Sequence, residues 1–183
     1  EMSRAESLMN RLRHIKMALE IWADDHSGRY PDSVHGFSTS NQVFRQLIID
    51  EVIADEHLFE GLKSPFMADG NLGTAPDYAD ACGPGENHWM MLKGVNQRDQ
   101  PQVPFLFENA LNASWPPKWR ADSDMQPARG RTWLRGSLVI CLLDGSINVE
   151  KLSKQGDVLT LPERMMARPS VSSSETTEIL DIE

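Results

Sequence analysis

The sequence of 183 residues lacks several features that would place it in a common class. It has no run of about 20 apolar residues, so no segment of it is expected to cross a bilayer. Positive charge is scarce: 18 Lys and Arg stand against 27 Asp and Glu, and the formal net charge is −9. Nucleic-acid phosphates and anionic lipids both attract basic proteins, so we expect no nucleic-acid partner and no docking on a charged lipid surface.

Sequence motifs of the main enzyme classes are also missing. There is no phosphate-binding loop followed by Lys-Ser/Thr, no G-x-G-x-x-G and no G-x-S-x-G, and the five histidines form no H-E-x-x-H pattern. We therefore expect no enzymatic activity and no organic cofactor. The competing interpretation is a hydrolase or metal enzyme built on His57, His88 and nearby carboxylates.

Two groups of acidic residues offer the oxygen ligands that Ca²⁺ prefers. One group combines Asp24 and Asp25 with Asp32. Neither this group nor the second one has the spacing of an EF-hand, and exposed, solvated carboxylates are the ordinary explanation for both. The sequence leaves a calcium site open as the alternative. The second group consists of Asp69, Asn71, Asp77 and Asp80.

The opening segment shows the clearest periodicity. Ser3 and Glu6 have the spacing of a capping box, and Pro31 prevents the helix from resuming after residues 24–28. Apolar residues between these signals recur at steps of three and four, which predicts one buried stripe on a helix over about 3–24. The stripe consists of Ala5, Leu8, Leu12, Ile15, Leu19 and Trp22.

A second, shorter helix is predicted over about 41–52, with Ser40 as its cap. Residues 61–87 are rich in Gly, Pro, Asp and Ala and have no periodicity, so we expect a long loop there. Residues 109–130 have a similar composition. Loops of this length inside a compact domain are usually functional or mobile.

Strand signals follow in the second half of the chain. Short apolar runs at 88–95 and 103–107 predict two strands, and 137–151 predicts a hairpin. The hairpin turns on Asp144-Gly145, where both residues would need positive φ. The order of helices first and strands later predicts an α+β domain with an antiparallel sheet.

Two cysteines, Cys82 and Cys141, allow one intramolecular disulfide in an exported protein. Cys141 lies in an apolar run, where a free thiol behaves as a small hydrophobic group. The sequence leaves both states open. We place a single domain over 1–169 and expect 170–183, with four acidic residues and no Lys or Arg, to be a flexible tail.

Three tryptophans lie in loops rich in Pro and Arg: Trp115, Trp119 and Trp133. Such rings can stack on a sugar or clamp a peptide, so these residues are candidate ligand contacts. The alternative is that they anchor long loops to the sheet.

Residues 10–31, with the sequence NRLRHIKMALEIWADDHSGRYP, resemble the end of the N-terminal helix in bacterial type IV pilin-like proteins and type II secretion pseudopilins. That family shows N-L-(R/K)-x-I-x-x-A-L followed by acidic residues and Gly-x-(Y/F)-Pro. Three later segments are similar to a subgroup with a large head: residues 40–47, the GENHW segment at 85–89 and the LLDGS segment at 142–146.

The resemblance implies a pilin-like fold, in which a long N-terminal α-helix packs against the antiparallel sheet and residues 1–25 are the C-terminal half of that helix. The preceding half would anchor the protein in the inner membrane, with the head in the periplasm or on a surface filament. The expected function is a structural subunit or assembly factor, and the expected partners are other pilin-like subunits. An adhesin or binding module that uses loops 61–87 and 109–135 is the alternative.

Overall fold

The computed structural model describes residues 3–122, 124–132, 134–166 and 176–183. Helix α1 covers Arg4–Asp24, and its capping box is formed as the sequence predicts. The Glu6 backbone N–H donates to Ser3 Oγ at 3.2 Å, and the Ser3 N–H donates to Glu6 Oε2 at 3.1 Å. Two donors that the first turn would leave unpaired are thereby satisfied.

Pro31, which prevents α1 from continuing, also begins the short helix α2, Pro31–His35. Proline is favoured at this first position because its missing N–H would be unpaired there in any case. Helix α3, Ser40–Ile49, is capped by Thr39, not by Ser40 as predicted, and Gln42 completes its capping box.

Eight strands form two antiparallel sheets among the described residues. The larger sheet has the order β5-β4-β2-β1-β8, and the smaller has the order β3-β7-β6. Single 3-10 turns cover Glu56–Phe59 and Glu163–Met165. The strands are β1 Trp89–Leu92, β2 Pro104–Glu108, β3 Lys118–Arg120, β4 Ser137–Leu142, β5 Ile147–Lys151, β6 Ser153–Gln155, β7 Val158–Thr160 and β8 Ile179–Leu180.

Helix α1 packs on strands β4 and β5 of the larger sheet. The predicted stripe faces this sheet and the neighbouring α3: Trp22 is 2% exposed and donates from Nε1 to Asp50 Oδ2 at 2.7 Å. The α+β class, with an N-terminal helix and an antiparallel sheet, is thus confirmed. The buried stripe residues are Leu8, Leu12, Ile15, Leu19 and Trp22.

The end of the chain departs from the expected flexible tail. Ile179 and Leu180 form β8, which pairs with β1 through Leu92 and Met91. Leu180 is fully buried, and Ile182 beside it is 5% exposed. Burial of these apolar side chains holds 176–183 in place despite the acidic residues between them, while 170–175 lie outside the described residues.

The hairpin between β4 and β5 turns differently from the prediction. Gly145 has φ 91°, but Asp144 is not in the left-handed region. The Gly145 N–H donates to the Leu142 carbonyl at 3.0 Å, and the Leu142 N–H donates to the Ser146 carbonyl at 2.9 Å. A turn closed by one left-handed glycine therefore replaces the two-residue turn, because a longer loop needs positive φ only at its last position.

Candidate ligand-binding cleft

A cleft of about 460 Å³ opens between the smaller sheet and the loops beside it. Leu62 and Lys63 come from the long loop 61–87, and Leu159 comes from β7. Arg120 ends β3, and most of the remaining wall is supplied by the segment 121–136. The cleft is therefore lined from both loops that the sequence singles out, and His88 reaches it from the start of β1.

His88 belongs to a buried network of polar side chains. Its Nε2 lies 3.0 Å from Glu108 Oε1, and its Nδ1 lies 2.8 Å from Ser64 Oγ and 3.0 Å from Asn109 Nδ2. The second carboxylate oxygen of Glu108 accepts the backbone N–H of Val139 at 2.8 Å. Strand β2, the segment before β1 and loop 61–87 are thereby tied together at the base of the cleft.

The hydrogen bonds of Asn109 fix the proton positions in this network. Its Oδ1 accepts the Gly130 N–H at 2.8 Å, so its amide nitrogen must face His88. An amide nitrogen can only donate, which makes His88 Nδ1 an acceptor and leaves the proton on Nε2, directed at Glu108. The Ser64 hydroxyl then donates to Nδ1. Each member of the network has a hydrogen-bond partner in this arrangement.

Serine, histidine and glutamate in one hydrogen-bonded row resemble a hydrolase triad. Ser64 is only 6% exposed, however, and the histidine nitrogen that would act as its base is shared with Asn109. The Ser64 Oγ also accepts the Phe66 N–H at 3.0 Å. This geometry suits an anchor for the loop better than a nucleophile.

Arg131 forms one wall of the cleft and is held by several acceptors. One terminal nitrogen lies 2.7 Å from Asp122 Oδ1 and 3.8 Å from Asp124, and the other donates to the Gln126 carbonyl at 2.6 Å. The hydrogen bond from Arg131 lowers the pKa of Asp122. Arg131 Nε is buried and has no acceptor among the described residues.

Arg120 and Arg135 stand at the rim with fewer partners. Arg120 Nε donates to the Arg129 carbonyl at 2.8 Å, and an Arg135 terminal nitrogen lies 3.4 Å from Met125 Sδ. No carboxylate within the described ranges lies within 4.0 Å of either guanidinium. Arg135 has φ 41°, a left-handed backbone conformation that residues other than glycine rarely adopt because of their Cβ atom.

The tryptophans that the sequence suggested as ligand contacts are not among the described residues that line this cleft. Trp119 is fully buried in β3, where its Nε1 donates to the Glu108 carbonyl at 3.2 Å and its ring meets Phe107 edge-on. It is therefore an anchor of the smaller sheet, and the expectation of a ligand contact at this residue is corrected. Trp115 is half-buried against the core, and Trp133 lies outside the described residues.

The two sequence-based calcium groups are not assembled as predicted. Asp32 is buried and accepts the Gly94 N–H at 2.9 Å, while Asp24 accepts a Gln97 amide. Burial raises the pKa of Asp32. Asp69 of the second group lies instead in a cluster with Glu56 and Glu86.

Glu56, Asp69 and Glu86 bring their oxygens within 4.8 Å of one another, a spacing that could hold a cation. The two glutamates already accept backbone N–H groups: Glu56 from Gly70 and Cys82, and Glu86 from Asp69 and Gly83. These bonds fold loop 61–87 around the carboxylates. Burial raises the pKa of both glutamates, whereas backbone hydrogen bonds lower that of Asp69.

The remaining histidine of the enzyme interpretation, His57, lies on the surface. Its Nδ1 pairs with Asp55 at 2.7 Å, and this hydrogen bond raises the pKa of the imidazole. The two cysteines are both buried and are not bonded to each other.

The basic cleft was not predicted from the sequence. Its only signal is the concentration of five of the 18 basic residues in the segment 118–135.

Comparisons with known proteins add no relative: no family model, no curated protein and no solved structure matches the chain. Within the described residues, no helix is both long and apolar enough to cross a membrane.

Proposed function

We propose that this protein is a structural subunit or assembly factor of a type IV pilus or a type II secretion pseudopilus. The observation that carries the proposal is the packing of α1. One side of this helix is buried under the larger sheet, as a pilin-like head requires, while the other side keeps Met17 60% exposed and Ile21 50% exposed. These two apolar residues are one turn apart and share a face.

An exposed apolar pair on a surface helix is suited to contact with another helix. In a filament, neighbouring copies of α1 would cover Met17 and Ile21 and remove them from water. The helix would continue upstream into the inner membrane, which would hold the head outside it before assembly. The resemblance of residues 10–31 to the pilin-like family supports the same arrangement. The comparisons found no relative that bears on it.

Assembly of the protein expressed from its complete gene tests the proposal. A Met17→Glu/Ile21→Glu variant places charge on the exposed face without changing the buried stripe, so it should fold and fractionate with membranes but fail to assemble. Immunogold electron microscopy and co-purification of tagged with untagged copies measure assembly. Met67→Glu is the matched control, since Met67 is 62% exposed but lies in loop 61–87.

Normal assembly of the Met17→Glu/Ile21→Glu variant would contradict the proposed role of this face. A complete protein that is found without any membrane association would contradict the pilin-like function itself. Thermal denaturation of each variant shows whether a loss of assembly is simply a loss of folding.

The second candidate function is a surface-exposed adhesin or binding module. One specific observation favours it: loop 61–87 and segment 109–135 meet around the cleft of about 460 Å³, a volume in the range of small-molecule sites. The two functions are compatible, because a subunit can present a binding site on its head while α1 contacts its neighbours.

A further inference from the structure

We propose that the cleft binds a carboxylate-bearing saccharide of one or two rings, with Arg120 and Arg135 as the ligands of the carboxylate. This inference rests on the second candidate function, since it names the ligand of the binding module. It follows from the charge, the donor chemistry and the lining of the cleft.

The charge of the cleft is opposite to that of the chain. The protein carries a net charge of −9, yet the lining has four basic residues against two acidic ones. Both acidic residues, Asp122 and Asp124, are already engaged with Arg131. A concave surface with excess positive charge concentrates anions, and the acidic remainder of the molecule repels a long polyanion such as nucleic acid.

The donors at the rim fit a carboxylate. A guanidinium presents parallel N–H groups that match the two carboxylate oxygens, and such charge-assisted pairs are stronger than neutral hydrogen bonds. A terminal nitrogen of Arg135 lies 3.4 Å from the thioether sulfur of Met125, and sulfur is a weak acceptor. An incoming carboxylate therefore replaces a weak contact with a strong one.

Arg131 has a different part in the site. Hydrogen bonds to Asp122 and to the Gln126 carbonyl, with a longer ion pair to Asp124, fix its guanidinium in the wall. Its charge is balanced there by the two aspartates, so Arg131 contributes shape, while Arg120 and Arg135 stay available at the rim. The His88 network adds rigidity on the other side. Ser64, bonded to His88, directly follows Lys63 and holds that part of the loop against the sheet.

The rest of the lining suits a sugar ring better than a simple anion. Leu62, Met125 and Leu159 offer apolar surface for the face of a ring, and Gln126 and Thr132 offer donors and acceptors for hydroxyl groups. A phosphate or sulfate ion would leave most of the volume unfilled. Uronic acids combine the required features: one carboxylate, several hydroxyls and an apolar ring face.

Isothermal titration calorimetry, with digalacturonic acid added to the 183-residue chain at low ionic strength, tests the proposal. The dimethyl ester of the same disaccharide is the matched neutral probe. We expect binding of the acid, at least tenfold weaker binding of the ester, and weakening as salt screens the charges. Arg120→Gln and Arg135→Gln should each reduce affinity for the acid at least tenfold.

Arg98→Gln is the control variant, because Arg98 is exposed and lies outside the cleft. It should bind digalacturonic acid as the unmodified chain does. Unchanged thermal denaturation of the three variants would show that their folds are intact. Rescue of part of the affinity in Arg120→Lys would indicate that charge at this position, and not merely its packing, is required.

Each of the following results would overturn the inference: no binding of the acid at millimolar concentration, equal binding of acid and ester, or wild-type affinity in both rim variants. Equal affinity for inorganic phosphate would reduce the cleft to a simple anion site and also overturn it. Binding of a neutral glycan or a peptide instead would leave the binding module standing with a different ligand. Filament assembly of Arg120→Gln and Arg135→Gln reports on the subunit function separately.

Discussion

Glu108 places a carboxylate, 2% exposed, between the imidazole of His88 and the backbone N–H of Val139. Each oxygen accepts one hydrogen bond, so both partners depend on a group that only accepts. Glutamine has almost the same shape, but one of its two ends is an NH₂ donor. The site therefore distinguishes a carboxylate from an amide by hydrogen bonding alone.

Glu108→Gln should lower the free energy of unfolding by about 1–3 kcal/mol, since its NH₂ must face either the Val139 N–H or the His88 Nε2–H. Urea denaturation followed by tryptophan fluorescence measures the loss. Glu163→Gln makes the same chemical change at an exposed residue and should alter stability by less than about 0.5 kcal/mol. A similarly small effect at Glu108 would show that the network is not formed as described.

Glu56 and Glu86 give stability a specific dependence on pH. Burial raises the pKa of each carboxyl above 4.5, its ordinary value, so the folded chain binds protons at a pH where the unfolded chain has released them. This contribution to stability is fully present below about pH 4.5. It is lost as the pH rises through the pKa that the two glutamates have in the folded chain.

A Glu56→Gln/Glu86→Gln variant removes that proton uptake. The difference in unfolding free energy between the wild-type chain and the variant should therefore be larger at pH 5 than at pH 7.5, in favour of the wild type. Urea midpoints at the two pH values measure it. Asp32, whose pKa is also raised by burial, is present in both proteins and cancels in the comparison. A difference that grows with pH would contradict the assignment.

Helix α1 gains its stability from one side. Leu12 lies at the centre of the buried stripe and is fully buried, whereas Met17 on the same helix is 60% exposed. Leu12→Ala should cost about 2–5 kcal/mol through lost apolar contact and the cavity left behind. Met17→Ala should stay within about 0.5 kcal/mol, because its side chain is mostly in water. Chemical denaturation of both variants compares the two sides, and equal losses would mean that the helix is not packed as described.

The elements differ in how well the sequence predicts them. Helix α1 was predictable because its capping box and its apolar periodicity are both local signals. Strands β3, β6 and β7 were not, since each has only three residues and five of the six residues of β3 and β6 are exposed. Strand β8 is shorter still, and the acidic residues around it suggested a solvated tail. Its two apolar residues can be recognised as a strand only from their pairing with β1 in the folded structure.

The cleft could not be predicted from the sequence, because its lining residues are far apart along the chain. Its lining extends from Leu62 to Leu159, and pairing of β3 with β7 is what brings the distant parts together. Sequence patterns report on neighbours along a chain, so they identified the two loops but not their meeting. For Trp119 the sequence left a ligand contact and an anchoring role open, and its burial in β3 decides for the anchor.

At the scale of the whole molecule, the two thiols report on whether the protein opens as one unit. Cys141 lies in the larger sheet and Cys82 in loop 61–87, and they are 0% and 1% exposed. Burial raises the pKa of Cys141 to about 12 and that of Cys82 well above its ordinary value. Because the thiolate is the reactive form, both groups are protected by lack of access and lack of ionisation.

Both cysteines of the native chain should react with an aromatic disulfide reagent roughly a thousandfold or more slowly than those of the urea-unfolded chain. Mass spectrometry of peptides from partially labelled protein assigns the rate to each thiol. Equal slow rates indicate cooperative opening. Rapid labelling of Cys82 alone would show that loop 61–87 opens independently of the larger sheet.

The pairing of β8 with β1 has a consequence for biogenesis. Met91 finds its partner Leu180 only after every other strand of both sheets has been made. Until then β1 is an exposed edge strand of the nascent protein, and its unpaired backbone groups can pair wrongly with other chains. Premature termination before Leu180 would leave that border permanently bare, so truncated products should be preferred clients of chaperones and proteases.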